Sequence, residues 1–353
     1  MTTDIRARAR DLGVAPGGLP TGRHNAITDV AGVAVGQVTL VQEPGVRTGV
    51  TAIVPHPGNL FREKNAGAVY VGNGFGKLAG SVQVAELGTI ETPIVLTNTL
   101  SVASGLDGAV GWTLDQPGNE SVRSVNALVG EVNDGELNDI RGRHVTAEHV
   151  RAAIASATGG PVAEGTVGAG TGTVCFGWKG GIGTSSRLVG EHTVGALVQT
   201  NYGGALRIDG APVGEHLSPD NATDTTDTSA DGSCMLVLAT DAPLHARNLE
   251  RLAARAVFAM ARTGASYSNG SGDIALAFST SPEVREPPAP ATGPLPNSAT
   301  TPLFRAALDA TEEAIYNSLF MATTVTGHAG TTRRAIPLNE VRKLLRTRKT
   351  EGE

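Results

Sequence analysis

The chain has 353 residues, a length that fits one or two domains around a large buried core. Its net charge of −6, with no long basic run, argues against nucleic acid or an anionic membrane surface as a partner. Two cysteines cannot build a disulfide framework, and eight scattered histidines without an HExxH argue against a zinc hydrolase. Apolar residues are 40% and charged residues 18%, ordinary for a globular chain; only the 46 glycines stand out, and they imply many tight turns and close backbone approaches.

In chain order, the opening Met1–Gly13 carries positive charge with no apolar run behind it, so no secretory leader is expected. With no stretch near the ~18 apolar residues of a membrane span, a soluble cytoplasmic protein is the expectation. Val33–Val38 and Val50–Val54 read as short strands, as do Pro93–Leu96 and Thr193–Thr200. Thr146 is placed to cap a helix from Ala147 to about Ala157. Residues 216–232 are polar and acidic and read as a mobile loop. That segment stops abruptly at the apolar run Ser233–Thr240, which reads as a fully buried strand. Asp241 and Pro243 look like a cap and first-turn proline of a helix that puts Leu249, Leu252, Ala256, Val257 and Met260 on one face and stops at Gly264. Ile274–Ser279 is another strand, 288–302 a proline-rich connection, and Thr301 to Ala322 a core helix striped by Phe304, Leu308, Ile315 and Leu319. Helices and strands do not alternate one for one. A layered α+β sandwich in a single domain, 1–353, is therefore expected rather than a doubly wound parallel sheet.

Several catalytic patterns fail on inspection. Gly72-Asn-Gly-Phe-Gly-Lys77 is not a phosphate loop, because Val71 and Leu78 stand where glycine and a hydroxyl residue are needed. Gly168-Ala-Gly-Thr-Gly172 is not GxGxxG. Ser271 lacks the outer glycines of a nucleophile elbow. What remains is Gly232-Ser233, where a polar loop hands a serine to the first position of a buried strand. This suits self-cleavage, in which the Ser233 hydroxyl attacks the Gly232 carbonyl and glycine tolerates the strained backbone required. The freed α-amine, with a reference pKa of about 7.7–8.0, could then act as a general base. On local pattern alone a turn before a strand is the commoner reading of the same residues.

The order and spacing of several segments resemble the L-aminopeptidase/D-amidase-esterase family, which includes the β-peptidyl aminopeptidases. They include Asn25-Ala-Ile-Thr-Asp-Val-Ala-Gly-Val33, Lys179-Gly-Gly-Ile-Gly-Thr184 and Leu197-Val-Gln-Thr-Asn201. Ala239-Thr-Asp-Ala-Pro-Leu244, Gly270-Ser-Gly-Asp-Ile274 and Thr311-Glu-Glu-Ala-Ile315 continue the pattern. The resemblance implies a four-layer αββα fold of the N-terminal-nucleophile-hydrolase kind, self-cleaved into associated chains 1–232 and 233–353. It implies that Ser233 is the nucleophile, Asn201 the oxyanion donor, and Ser271 and Asp273 the groups that assist the Ser233 amine. Relatives frequently carry glutamate at position 273. Glu131 resembles the carboxylate that receives the substrate's ammonium. Some relatives carry an oxyanion tyrosine near here, where this chain has Asn133 and Glu136.

The implied activity is hydrolysis of small peptides, amides or esters that bear a free amine, with no metal or organic cofactor. The implied assembly is a homo-oligomer, a tetramer of processed heterodimers. Cys234, on the opposite face of the strand from Ser233, reads as a core residue; it is the main rival nucleophile if cleavage falls one residue later. Two alternatives stand beside this reading: an acyltransferase of the same architecture, like the ornithine acetyltransferases, and a non-catalytic small-molecule-binding protein.

Overall fold

The computed structural model describes residues 5–219, 232–287 and 293–351. The first half of the chain runs through β1 (Ala34–Gln42), β2 (Val46–Val54), β3 (Asn65–Gly74), β4 (Leu78–Ala79), α1 (Ser81–Leu87), β5 (Thr89–Ile90), β6 (Ile94–Asn98), α2 (Val102–Leu114), β7 (Leu128–Val132) and α3 (Ala147–Ala155). A short hairpin follows, β8 (Val174–Cys175) and β9 (Trp178–Lys179), then β10 (Gly181–Val189), β11 (His192–Asn201) and β12 (Ser233–Thr240). The chain closes with α4 (Ala246–Thr263), β13 (Gly272–Ser279), α5 (Thr301–Phe320), β14 (Val325–Thr326), β15 (Thr332–Arg333) and α6 (Leu338–Glu351).

Two sheets carry the molecule. One has five strands in the order β1-β2-β6-β7-β4; the other has six in the order β10-β11-β12-β13-β3-β5. Strand alternation sends successive side chains to opposite faces, and the apolar clusters follow it. Met235, Val237, Leu276 and Phe278 join Ile53, Leu96 and Leu128 in a core between the sheets. Cys234, Leu236 and Leu238 point the other way, against Leu252 and Ala256 of α4 and Ala314 and Ile315 of α5. A third cluster sets Val50, Val95 and Val129 against Ala109 of α2 and Val150 and Ala153 of α3. The order of layers is helices, sheet, sheet, helices, an α+β sandwich as expected.

Ser233–Thr240 is a strand over the predicted residues, and α4 stops at Gly264 in the left-handed region with φ 94°. Helix α4 starts later than predicted, at Ala246. Asp241 is spent accepting the Thr193 N–H at 2.8 Å, and Ala242 N–H is held by the Thr240 hydroxyl at 3.1 Å. Pro243 therefore lies in a turn ahead of the helix, and His245 occupies the N-cap position without a side-chain capping bond. At α3 the Thr146 N–H is donated to His149 Nδ1 at 3.1 Å. Helix α5 is buried on nearly every side, and two of its polar residues are held by long-range partners: Glu313 by Arg187 at 2.6 Å, and Asn317 by the Ala9 N–H and the Thr184 carbonyl, both at 2.9 Å. Most of the acidic loop, residues 220–231, and part of the proline-rich connection, 288–292, lie outside the described residues. Among the described residues no helix is long and apolar enough to cross a membrane.

Candidate active site

Three strand ends meet at Ser233. Asn201, the last residue of β11, lies directly opposite Ser233, the first of β12, in the antiparallel ladder. Gly272, the first residue of β13, lies beside Ser233 in the parallel one. By alternation Ser233 shares the inter-sheet face with Met235, and Asn201 shares it with Gln199, whose amide donates to the Thr97 carbonyl of the facing sheet at 3.2 Å. Cross-strand partners on one face sit about 5 Å apart at Cβ, so the serine hydroxyl and the asparagine amide occupy one small volume. Cys234 faces the helices, and burial holds its thiol well above the usual range.

The Asn201 amide has a fixed orientation. Its Oδ1 accepts the Val174 N–H at 2.9 Å, which leaves Nδ2 as its donor end. Val174 belongs to the segment 168–180, which is pinned from beneath by Lys179. That fully buried ammonium donates to the Gly170 and Gly180 carbonyls, each at 2.8 Å, and burial lowers its pKa to about 7. Burial likewise pushes the nearby Asp134 carboxyl up to about 7, against hydrogen bonds from Thr48, Asn138 and Asn98.

On the other side of Ser233, the Ser271 hydroxyl donates to Asp273 Oδ1 at 2.9 Å. Asp273 Oδ2 is buried with no hydrogen-bond partner among the described residues. Burial raises this carboxyl to about 6, against the Ser271 hydrogen bond that favours the ionised form. The Gly232 carbonyl accepts the Gly272 N–H at 3.1 Å. Space at Gly232 is tight: a Cβ there would lie 3.0 Å from Tyr202 Cα and 3.2 Å from Ser271 Oγ. A side chain here would press on both neighbours, so glycine suits the position by its size.

Glu131, near the end of β7, is buried in the facing sheet. Its Oε1 accepts the Lys77 backbone N–H at 3.0 Å and Lys77 Nζ at 3.2 Å, and its Oε2 accepts the Thr99 hydroxyl. Gly76 links this carboxylate to the serine site, since a Cβ on it would lie 3.1 Å from Gly272 Cα and 3.7 Å from Glu131 Oε1. Around the Gly232–Ser233 backbone the fold thus sets Asn201 across the ladder and the Ser271–Asp273 pair alongside, with buried Glu131 reached through Gly76, four separate stretches of chain.

The sequence matches peptidase family S58 over residues 25–333. The chain belongs to that family. It is 44% identical to the β-peptidyl aminopeptidase BapA of Sphingosinicella microcystinivorans, over 96% of this chain and 92% of that protein. The structure is similar to a β-aminopeptidase from a Burkholderia species, with TM-score 0.88 and 41% identity, covering 97% of this chain and 99% of that one. It is also similar to the L-aminopeptidase D-Ala-esterase/amidase of Ochrobactrum anthropi, with TM-score 0.87, 37% identity and the same coverage. The Ochrobactrum protein is described as a prototype for the serine aminopeptidases and a variant of the Ntn hydrolase fold. As an S58 member, this chain is a serine aminopeptidase, a hydrolase of peptide bonds.

Three features of this S58 site escape a reading of the sequence. Lys77 stands out only as the tail of a failed phosphate-loop pattern, and Lys179 only as the flank of a glycine cluster. The Val174 N–H carries no side-chain signature at all. The tyrosine that follows Asn201 does not supply an oxyanion donor: Tyr202 is buried and its hydroxyl shares a 2.9 Å hydrogen bond with Thr263 of α4. Asn133 accepts the Gly135 N–H at 2.9 Å in its own turn, and Glu136 pairs with Arg333, so both are engaged locally.

Proposed function

We propose that this S58 peptidase cuts its own chain between Gly232 and Ser233 and then removes N-terminal residues from small peptides, amides or esters through a Ser233 acyl-enzyme. The observation that carries the reading is the seat of the Gly232–Ser233 peptide. It lies at the start of β12, flanked by Asn201 and by Ser271–Asp273, with the Gly232 carbonyl already accepting a backbone N–H. That donor polarises the carbon to be attacked. In the cut, Ser233 Oγ bonds to the Gly232 carbonyl carbon, its proton passes to the Ser233 nitrogen, and the C–N bond breaks to leave an ester. Water hydrolyses the ester, leaving a Gly232 carboxylate and a free Ser233 amine and hydroxyl.

In turnover the α-amine takes the proton from Ser233 Oγ as that oxygen attacks the substrate carbonyl. Asn201 Nδ2 donates to the developing oxyanion, a role worth about 2.7–4 kcal/mol where such a donor has been removed. The proton then passes to the leaving amine, and water frees the acyl group. Asp273, with one acceptor oxygen unused, offers the ionised amine a partner through the Ser271 hydroxyl or directly. Glu131 receives the substrate's ammonium, which restricts cleavage to the N-terminal residue. Relatives named for β-peptides and for D-Ala esters and amides support short aminoacyl substrates as the class.

The test compares α- and β-aminoacyl p-nitroanilides with their N-acetylated counterparts. Hydrolysis should require the free amine and be absent in Ser233→Ala. Equal rates on acetylated and free substrates would contradict the aminopeptidase reading.

A further inference from the structure

The Glu131–Lys77 ion pair is lopsided. The glutamate side chain is 4% exposed and the lysine 56%. The anion is fixed, with three donors on its two oxygens, while the cation paired with it sits on a flexible, solvent-reaching stem. Of those donors Lys77 Nζ is the one on a long, solvent-reaching stem, whereas the Lys77 N–H is backbone and the Thr99 hydroxyl sits on a short side chain. When it leaves, Glu131 keeps two hydrogen bonds and presents one vacant lone pair and an uncompensated charge. That vacancy has the size and polarity of a primary ammonium, the group whose place the lysine holds. Gly76 leaves room on the same side, its would-be Cβ meeting Glu131 Oε1 only at 3.7 Å.

We propose that Lys77 is a built-in stand-in for the substrate's ammonium: it occupies Glu131 in the free enzyme and must yield for a substrate amine to dock. The inference rests on Glu131 being the amine receptor. Lys77 then acts as a specificity-determining residue. Every substrate competes with it, so apparent affinity is reduced by the fraction of molecules in which Glu131 is occupied. Only a group that replaces a full ammonium, charge and hydrogen bond together, gains from the exchange. Neutral amides and acylated amines do not.

The test uses the purified, full-length enzyme and an aminoacyl p-nitroanilide at low salt. Lys77→Met should lower KM about fivefold, the worth of one solvent-accessible ion pair, with the change in KM rather than kcat. n-Butylamine should inhibit the variant competitively with a similarly tighter constant. Lys77→Arg, which keeps a cation, should stay near wild type. The difference should shrink as salt rises. A KM that is unchanged or raised in Lys77→Met, or an effect on kcat alone, would overturn the inference. Glu131→Gln separates the two claims. If it raises KM while Lys77→Met does nothing, only the stand-in fails. If it leaves KM unchanged, the amine-receptor reading fails first.

Discussion

Asp273 carries the clearest consequence at the scale of single residues. Burial raises its carboxyl from 3.8 to about 6, so the folded chain holds the proton more tightly than the unfolded one. Stability is then fully present below about pH 4 and falls as pH rises towards 6, with the loss complete above that. In an uncut Ser233→Ala background, Asp273→Asn should remove this loss. It should raise unfolding free energy at pH 7 by up to about 3 kcal/mol, since each tenfold change in proton affinity is worth roughly 1.4 kcal/mol, and the difference should vanish near pH 4. Urea unfolding at the two pH values measures it; an equal or lower stability of Asp273→Asn at pH 7 would contradict the assignment. At this scale the abrupt change between polar loop and apolar run marks Ser233 as a candidate, although on local pattern alone a turn before a strand is the commoner reading. The position of Asn201 opposite Ser233 could not be read locally, because nothing in the sequence announces that its strand runs back antiparallel to β12. The pairing of Lys77 with Glu131 was not legible, since the glutamate arrives from another strand.

Among the elements, β12 and β13 could be read directly because both are unbroken apolar runs buried on both faces. Strand β3, Asn-Ala-Gly-Ala-Val-Tyr-Val-Gly-Asn-Gly, and helix α2, Val-Ala-Ser-Gly-Leu-Asp-Gly-Ala-Val-Gly-Trp-Thr-Leu, were missed. Their glycines suppress intrinsic propensity, and tertiary packing restores the structure. The reason for such glycines is visible where β10 crosses α5. A Cβ at Gly183 would overlap the Ala314 carbonyl oxygen and come within 2.6 Å of the Ser318 nitrogen, both helix backbone that cannot swing aside. Gly183→Ala should cost about 3 kcal/mol, seen as a lower denaturant midpoint at unchanged m-value. Because β10 pairs with β11 along its whole length, the site should loosen too. A neutral Gly183→Ala would show that the two elements are not in such close register.

At the scale of the whole molecule, the proposed cut falls where it need not separate the halves. Strand β12 would begin the smaller chain yet pairs with β11 of the larger through the full ladder from Asn201–Ser233 to Val194–Thr240. Helix α5 of the smaller chain packs on β10 and β11 of the larger, and one apolar cluster draws on both. The layered α+β class was legible from the mix of long helices and buried runs, while the pairing of sheet on sheet was supplied by the family likeness. The central claim is the cut itself. Denaturing mass spectrometry of the purified protein should give two masses, residues 1–232 and 233–353, the second beginning with Ser233, and Ser233→Ala should give one undivided chain. A wild-type chain that stays whole while hydrolysing aminoacyl amides would contradict the account.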